Sequence, residues 1–197
     1  MEERKASYTR TTGETDITIA INLDGAGVAS VDTGIGFLDH MLNSFAKHGF
    51  FDLSVKAKGD LYVDSHHTIE DTGIVLGKAI KEALGDKKGI KRYASFTMPM
   101  DDALVLSAVD FSGRPYLVYD LNLTTPKVGD FDTEMVKEFF YAVSYAAEMN
   151  IHIKQLSGDN NHHIIEAAFK AFANAVKEAS RLDERLDGNL LSTKGAL

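Results

Sequence analysis

The chain has 197 residues, long enough for one domain with a sizeable core, and 44% of them are hydrophobic. It has no cysteine, which excludes disulfides, thiolate metal sites and thiol catalysis, so a bound metal must be held by histidine, carboxylate or water. The net charge of −8 argues against nucleic-acid partners, because affinity for a phosphate backbone depends on clustered lysine and arginine. The start has no apolar signal segment, and no stretch approaches the roughly 18 apolar residues of a membrane span. We therefore expect a cytoplasmic protein without membrane partners.

Hydrophobic periodicity predicts alternating strands and helices in the first part of the chain. They are expected as strand, helix, strand and helix at 16–22, 37–48, 51–57 and 65–84. Gly49 is expected to close the first helix at its C′ position. Ser65 or Asp64 is expected to cap the start of the second helix, since both side chains can accept a backbone hydrogen bond.

The second part of the chain is predicted to hold three strands, a helix, a strand and a helix. These are expected at 93–100, 104–111, 116–121, 134–149, 151–156 and 161–182. From Asp183 onward, turn residues without periodicity predict a loop or flexible arm.

Two stretches of the chain resemble each other, which predicts an internal duplication. DLSVKAKGD at 52–60 and IHIKQLSGD at 151–159 each follow a helix and precede a long helix. No low-complexity linker separates the two parts, so we expect one domain over 1–197, with halves at about 6–92 and 93–185 and a tail at 186–197. Strands and helices segregate, which indicates an α+β architecture.

Both long helices carry a His-His-x-x-Glu motif, and these motifs indicate metal binding. The motif residues are His66, His67 and Glu70 in one helix, and His162, His163 and Glu166 in the other. At about 100° per residue, the first histidine, second histidine and glutamate project near 0°, 100° and 40°. The two imidazoles therefore diverge enough to bind different metals, while the glutamate can reach either one. Imidazole and carboxylate ligands suit Zn, Mn, Fe, Co or Ni and do not select among them.

Asp71 has no counterpart in the second motif, because Ala167 stands at the equivalent position. We expect Asp71 to support the metal ligands without binding a metal, or to be solvated.

Five ordered segments give the chain a family resemblance. They are TGIGFLDHM at 33–41, DSHHTIED at 64–71, DFSGRPY at 110–116, NNHHIIE at 160–166 and STKG at 192–195. With these segments the chain resembles the monofunctional imidazoleglycerol-phosphate dehydratases from about residue 6 to residue 197. The resemblance implies an α+β fold of internally duplicated ferredoxin-like (ribosomal protein S5 domain 2-like) halves, with two mixed sheets packed against four main helices.

The resemblance also implies a reaction and its cofactors. D-erythro-imidazoleglycerol phosphate would lose water to give imidazole acetol phosphate, in histidine biosynthesis. Each active site would hold two Mn²⁺ ions, with other first-row divalent metals possible. The implied metal ligands are His40, His66, His67, Glu70, His152, His162, His163 and Glu166. The implied assembly is a homo-oligomer of trimers forming an octahedral 24-mer, with metal sites completed across subunits.

The remaining implied site residues bind the phosphorylated imidazole substrate or transfer protons. Substrate contacts are implied for Glu14, His48, Arg92, Arg114, Lys170, Ser192 and Lys194. Catalytic roles are implied for Glu14, Glu70, Glu166 and Lys170. The sequence departs from the family's usual residues at Gly36, Ser44, Asp102 and Leu191. The changes at Ser44 and Leu191 are expected to weaken the phosphate contacts.

Other functions remain open from the residues alone. The same metal ligands could serve a binuclear phosphate-ester hydrolase, or could join subunits in an assembly protein without catalysis. A ferritin-like oxidase would need a four-helix bundle, which the predicted strands disfavour.

Overall fold

Four α-helices pack with two four-stranded mixed sheets in the computed structural model, which describes residues 4–197. This arrangement confirms the predicted α+β fold of duplicated ferredoxin-like halves. No helix in this range is both long and apolar enough to cross a bilayer.

The first sheet has the strand order β1-β2-β4-β3. Its strands are β1 (Lys5–Thr11), β2 (Thr15–Asn22), β3 (Ala29–Asp32) and β4 (Asp52–Gly59). The β1–β2 and β2–β4 pairs are antiparallel, and the β3–β4 pair is parallel. Two helices, α1 (Gly36–Gly49) and α2 (His66–Leu84), pack against this sheet.

The second sheet repeats this order and these strand directions. Its strands are β5 (Tyr93–Met100), β6 (Ala103–Asp110), β7 (Tyr116–Asp120) and β10 (Asn150–Ser157), in the order β5-β6-β10-β7. The first two pairs are antiparallel and the last is parallel, as in the first sheet. The helices that pack against it are α3 (Met135–Ala147) and α4 (Asn161–Ser180). A small hairpin of β8 (Lys127–Val128) and β9 (Phe131–Asp132) precedes α3.

The helices connect the two halves, because α1 packs on α4 and α2 packs on α3. A cluster of fully buried aromatic rings lies where α1, α3 and α4 meet. In this cluster Phe172 lies 5.5 Å from Phe45 and 5.4 Å from Phe140, measured between ring centroids. This packing fixes α1 against α4, so that side chains from different halves meet at their first turns.

Most predicted elements are present, but β1, β3 and the β8–β9 hairpin were not predicted. The predicted end of the first helix is wrong in one respect. Phe50, not Gly49, adopts the left-handed conformation, with a φ of 58°. Gly49 stays helical, and a Cβ there would lie 2.2 Å from the Phe51 ring. The glycine therefore makes room for the Phe51 side chain.

The start of α2 and the tail agree with their predictions. Ser65 stands at the N-cap position of α2, while the Asp64 carboxylate accepts the hydrogen bond from the His66 backbone N–H at 2.8 Å. After Asp183 the tail forms only a short 3₁₀-helix, Glu184–Leu186, followed by turns.

Candidate metal and substrate site

The first turn of α4 presents one of the two histidine pairs. Asn160 starts the helix by accepting hydrogen bonds from the backbone N–H groups of His162 and His163, at 3.0 and 3.3 Å. His162 Nε2 then lies 3.2 Å from Glu166 Oε2, one turn later on the helix. His40 from α1 places its own Nε2 3.4 Å from the same oxygen. We call His40, His162 and Glu166 the α1–α4 cluster.

The charge distribution in the α1–α4 cluster suits a metal cation. Glu166 is only 7% exposed, and burial raises its pKa, but hydrogen bonds and charges from Lys170 and His40 outweigh burial and hold the pKa below its usual value. Lys170 Nζ lies 2.6 Å from Oε1, which leaves Oε2 directed at the two imidazoles. Two imidazole nitrogens and a carboxylate oxygen, all within 4.8 Å of one another, form a donor set for a first-row divalent metal.

His48 lies further along α1, near Lys170 and Lys177. Burial, together with the positive charge of Lys170, lowers the pKa of His48, so the ring is neutral at neutral pH. A neutral imidazole here can donate one hydrogen bond to a ligand and adds no positive charge to that of Lys170.

The start of α2 presents the other histidine pair in a more open arrangement. His66 Nε2 lies 3.7 Å from Glu70 Oε2, and both side chains are more than two-fifths exposed. His67 Nδ1 lies 3.0 and 3.3 Å from the two carboxylate oxygens of Asp60 and 3.7 Å from Glu14 Oε2. The hydrogen bond that the His67 ring donates to the Asp60 carboxylate raises the pKa of His67. Glu14, Asp60 and His67 form a second group of close ligand atoms.

The turn between β5 and β6 places two carboxylates beside His163. Asp102 Oδ1 lies 2.7 Å from His163 Nδ1, and Asp101 Oδ2 lies 3.4 Å from Nε2. The second oxygen of Asp102 accepts the backbone N–H groups of Asp159 and Asn160, at 2.7 and 3.0 Å. The Asn160 N–H, His163 and the Asp159 N–H together hold the pKa of Asp102 far below its usual value.

His152 lies apart from both histidine pairs. It is exposed on β10, on the face of the second sheet that points away from the helices, beside Ala108 and Val118. Within one chain it does not join the α1–α4 cluster.

The predicted phosphate contacts Arg92, Arg114, Ser192 and Lys194 lie at the end of the second sheet opposite the histidine pairs. Arg92 binds Asp110 through two hydrogen bonds of 2.7 and 3.0 Å, and donates a third to the carbonyl of Leu191 at 2.9 Å. The eight residues of β5 separate this end from the β5–β6 turn, about 24 Å at roughly 3.4 Å per residue. One chain therefore does not bring these four residues to its own histidine pairs.

Three acidic residues beside the histidines, Asp60, Asp101 and Asp102, were not predicted as part of the site. The GD that precedes each histidine pair was a signal for Asp60, but contacts between distant turns cannot be read from spacing. Asp71 is buried and accepts hydrogen bonds from Arg10 Nε at 3.0 Å and from the Thr15 hydroxyl. The solvated alternative for Asp71 is therefore wrong.

Comparison with known proteins identifies the family. The family model of imidazoleglycerol-phosphate dehydratase matches residues 33–176. The chain belongs to this family. It is 66% identical over 194 residues to the dehydratase of Lachnoclostridium phytofermentans, covering 98% of each chain, and 60% identical over 195 residues to that of Acetivibrio thermocellus, covering 99% of this chain and 100% of the relative. Dehydratases of this kind are hydro-lyases, which identifies the chain as an enzyme of that class.

Solved structures of the same family share the fold. The Staphylococcus aureus enzyme superposes with a TM-score of 0.82 at 42% identity, covering 91% of this chain and 99% of that one. The Pyrococcus furiosus enzyme superposes with a TM-score of 0.84 at 40% identity, covering 96% of this chain and 100% of that one.

Proposed function

We propose that this chain dehydrates D-erythro-imidazoleglycerol phosphate to imidazole acetol phosphate in histidine biosynthesis, with two divalent metal ions, Mn²⁺ by preference, in each active site. Family membership supports the reaction. The observation that carries the metal dependence is the convergence of His40 Nε2 and His162 Nε2 on one oxygen of the buried Glu166.

The donor chemistry of the site fits such metals, because every implied ligand is an imidazole or a carboxylate. The residues that would hold them are His40, His66, His67, Glu70, His152, His162, His163 and Glu166. A bound metal would supply Lewis-acid stabilisation of negative charge on the substrate's imidazole ring, which makes the neighbouring C–H acidic.

The chain's own residues would hold the substrate and move its protons. Glu14, in the β1–β2 turn beside His67, is the proposed proton-transfer group. Lys170 neutralises Glu166 Oε1 and keeps Oε2 directed at the histidines. Arg92, Arg114, Ser192 and Lys194 would bind the phosphate through charge-assisted hydrogen bonds, which orient the reacting carbon from a distance.

The positions of these groups support an active site shared between copies of the chain. The phosphate-binding residues lie about 24 Å along the second sheet from its histidine end. His152 lies on the outer face of this sheet, away from the other ligands of its own chain. Both can be used only if a neighbouring copy supplies the complementary groups.

The outer faces of the two sheets differ in a way that identifies the proposed contact. Around His152, the second sheet presents mostly apolar side chains beside the Lys154–Asp120 ion pair, namely Leu104, Leu106, Tyr116 and Val118. The corresponding face of the first sheet is polar, with Thr9, Thr18, Ser54 and Lys56. An apolar face carrying a metal ligand is suited to an interface. We propose that it forms part of the contacts that build trimers and the 24-mer.

Two variants with steady-state kinetics test this function. His163→Ala removes one imidazole from a metal site, so metal content, assembly and turnover should fall together. Arg114→Ala should keep metal and particle size, because its proposed partner is the phosphate. Losing a charge-assisted hydrogen bond costs about 1.5–3 kcal/mol, so its kcat/KM should fall at least about tenfold.

The assay follows the enolised product in alkali with Mn²⁺-loaded protein, and inorganic phosphate release in parallel. Phosphate release without dehydration would indicate a hydrolase, and full assembly without turnover would indicate a purely structural metal. Normal kinetics for Arg114→Ala would show that the phosphate site is misplaced. His163→Ala protein that binds both metals would contradict the metal assignment.

A further inference from the structure

The second histidine of each motif shares a feature that the first lacks. His67 and His163 both direct Nδ1 at a carboxylate, Asp60 at 3.0 Å and Asp102 at 2.7 Å. The first histidines, His66 and His162, instead direct Nε2 at the glutamate one turn later in the helix. The two imidazoles of each pair are therefore oriented by different means.

An ionised carboxylate accepts hydrogen bonds and cannot donate them, so the ring nitrogen that faces it must carry the proton. This places the proton of neutral His67 and His163 on Nδ1 and leaves the lone pair on Nε2. Asp101 Oδ2 lies 3.4 Å from His163 Nε2, farther than Asp102 lies from Nδ1, and makes an ion pair with the ring only when the ring is protonated. Asp102 remains ionised because its second oxygen accepts two backbone N–H groups. Asp60 contacts the ring with both oxygens, and only 11% of its side chain is exposed.

We propose that Asp60 and Asp102 are positioning residues that fix His67 and His163 in the tautomer whose Nε2 is free to bind a metal. Carboxylates that accept the second ring N–H orient metal-bound histidines in many proteins and raise the basicity of the ligand. The inference rests on the proposed metal dependence, but the tautomer itself does not require a metal.

The two carboxylates are not duplicates of each other, although the histidines are. Asp60 directly follows β4, and its counterpart by sequence is Asp159, which follows β10 in the same GD pair. Asp159 is exposed, and its backbone N–H donates to Asp102 at 2.7 Å. Asp102 instead comes from the β5–β6 turn, whose counterpart in the first half is the β1–β2 turn with Glu14. Each half therefore orients its second histidine from a different loop.

Asparagine substitutions test the proposal with little change in shape. In Asp102→Asn the amide oxygen can keep the backbone bonds of Asp159 and Asn160, while the amide NH₂ faces His163 Nδ1. An amide donor there requires Nδ1 to be the acceptor, which moves the ring proton to Nε2. Asp60→Asn should do the same to His67. Asp159→Asn removes the same charge at the counterpart position and is the matched control.

The first measurement uses metal-free protein labelled with ¹⁵N at histidine, at a pH of about 8, above the ordinary imidazole pKa of about 6.5. Two-bond ¹H–¹⁵N spectra should show Nδ1–H for His67 and His163 in the wild type and in Asp159→Asn. Each ring should change to Nε2–H in its own asparagine variant and keep Nδ1–H in the other one. Nε2–H rings in the wild type, or unchanged tautomers in the variants, would overturn the proposal.

The second measurement is the Mn²⁺ dissociation constant, obtained by competition with a fluorescent chelator. Asp60→Asn and Asp102→Asn should each weaken binding about 10- to 100-fold, and Asp159→Asn should leave it unchanged. Unchanged affinity in the first two variants, or equal weakening in Asp159→Asn, would overturn the positioning role. A wild-type protein that binds no metal would contradict the proposed function instead, and the tautomer measurement would still decide the orientation of the rings.

Discussion

Two buried serines differ in one respect, which is whether the hydroxyl has a partner. Ser107 on β6 is fully buried, and its hydroxyl has no hydrogen-bond partner among the described residues. Because an unsatisfied buried polar group is costly, we expect Ser107→Ala to raise the free energy of unfolding by about 1 kcal/mol. Urea denaturation of metal-free protein at a fixed protein concentration measures this change.

Ser144 on α3 is the matched control. It is equally buried, but its hydroxyl donates to the carbonyl of Met149 at 2.8 Å. Ser144→Ala leaves that carbonyl without its side-chain donor and should lower the free energy of unfolding by about 1 kcal/mol. Equal effects of the two substitutions would show that hydrogen bonding does not distinguish the sites.

The raised pKa of His67 bears on the proposed metal binding, because a proton on the ring competes with a metal. Asp60 raises this pKa above the ordinary value of about 6.5, so the protonated ring stabilises the metal-free fold below pH 6.5. That contribution is lost as the pH rises through the raised pKa. The same proton must leave before a metal binds. We therefore expect Mn²⁺ affinity to fall on acidification from above pH 6.5 and to continue falling through about pH 6 to 5.

Elemental analysis of protein equilibrated between about pH 8 and 5 measures this loss. Asp60→Asn should bind metal more weakly at every pH. Its further loss of metal on acidification should begin at a lower pH than in the wild type, because the raised pKa of His67 is lost with the carboxylate. Constant metal content across the range would contradict proton competition.

At the scale of elements, Gly73 and Gly77 in α2 allow this helix to pack closely against α3. A Cβ at Gly77 would lie 2.7 Å from Val143 O and 2.9 Å from Ala147 N, and these backbone atoms cannot rotate away. Gly77→Ala should therefore lower the free energy of unfolding by about 1–3 kcal/mol, despite a gain in helix propensity of about 1 kcal/mol. Because α2 and α3 belong to different halves, the measurement also tests how the halves are joined.

Gly36, the first residue of α1, provides the comparison. Among residues 4–197, apart from its chain neighbours and the backbone of its own helix, a Cβ there would have no atom within 4 Å, and its φ is not positive. Gly36→Ala should be neutral or stabilising, by up to about 1 kcal/mol. Thermal or urea unfolding of both variants tests the difference, and a similar loss in both would exclude close helix packing as the cause.

The sequence predicted the four helices and most strands, including the edge strands β5 and β7 of the second sheet, but missed both edge strands of the first sheet. Both long helices and the strands with regular alternation were predicted correctly, because burial imposes a clear hydrophobic period. β1 and β3 lie at the edges of the first sheet, where one side is not paired with a strand and few residues need be apolar. Their composition of serine, threonine and charged residues therefore carries little strand signal.

In the candidate site, the sequence predicted contacts within one helix but not contacts between distant parts of the chain. The repeated motif identifies His66 and His162 with their glutamates, because those contacts lie within one helical turn. The contact of Asp102 with His163 joins residues 61 positions apart, through a turn that only the folded sheet brings near α4. Likewise the meeting of His40 with Glu166 depends on how α1 packs across the halves. Such contacts cannot be obtained from spacing.

For the whole molecule, the duplication supports the proposal that one chain holds only part of each metal site. Each half repeats the strand order and the histidine pair, yet among residues 4–197 only α4 has a third proposed ligand, His40, in contact with its glutamate. The side chains of Glu70 and His66 in α2 are exposed, so a residue of a neighbouring copy could share a metal ion with them. The exposed His152, on the apolar outer face of the second sheet, is a candidate for that ligand.

Metal removal tests this arrangement directly. If ligands from different copies share each metal, the metal links the copies, and binding energy at the metal contributes to assembly. Treatment with a chelator should then release the metal and reduce the particle from the proposed 24-mer to smaller species, with trimers expected. Light scattering before and after chelation, with metal content measured on the same samples, tests this.

Adding Mn²⁺ back should restore the large particle, whereas His152→Ala should prevent its recovery. An unchanged particle size after complete metal removal would show that the copies are held together without shared metals.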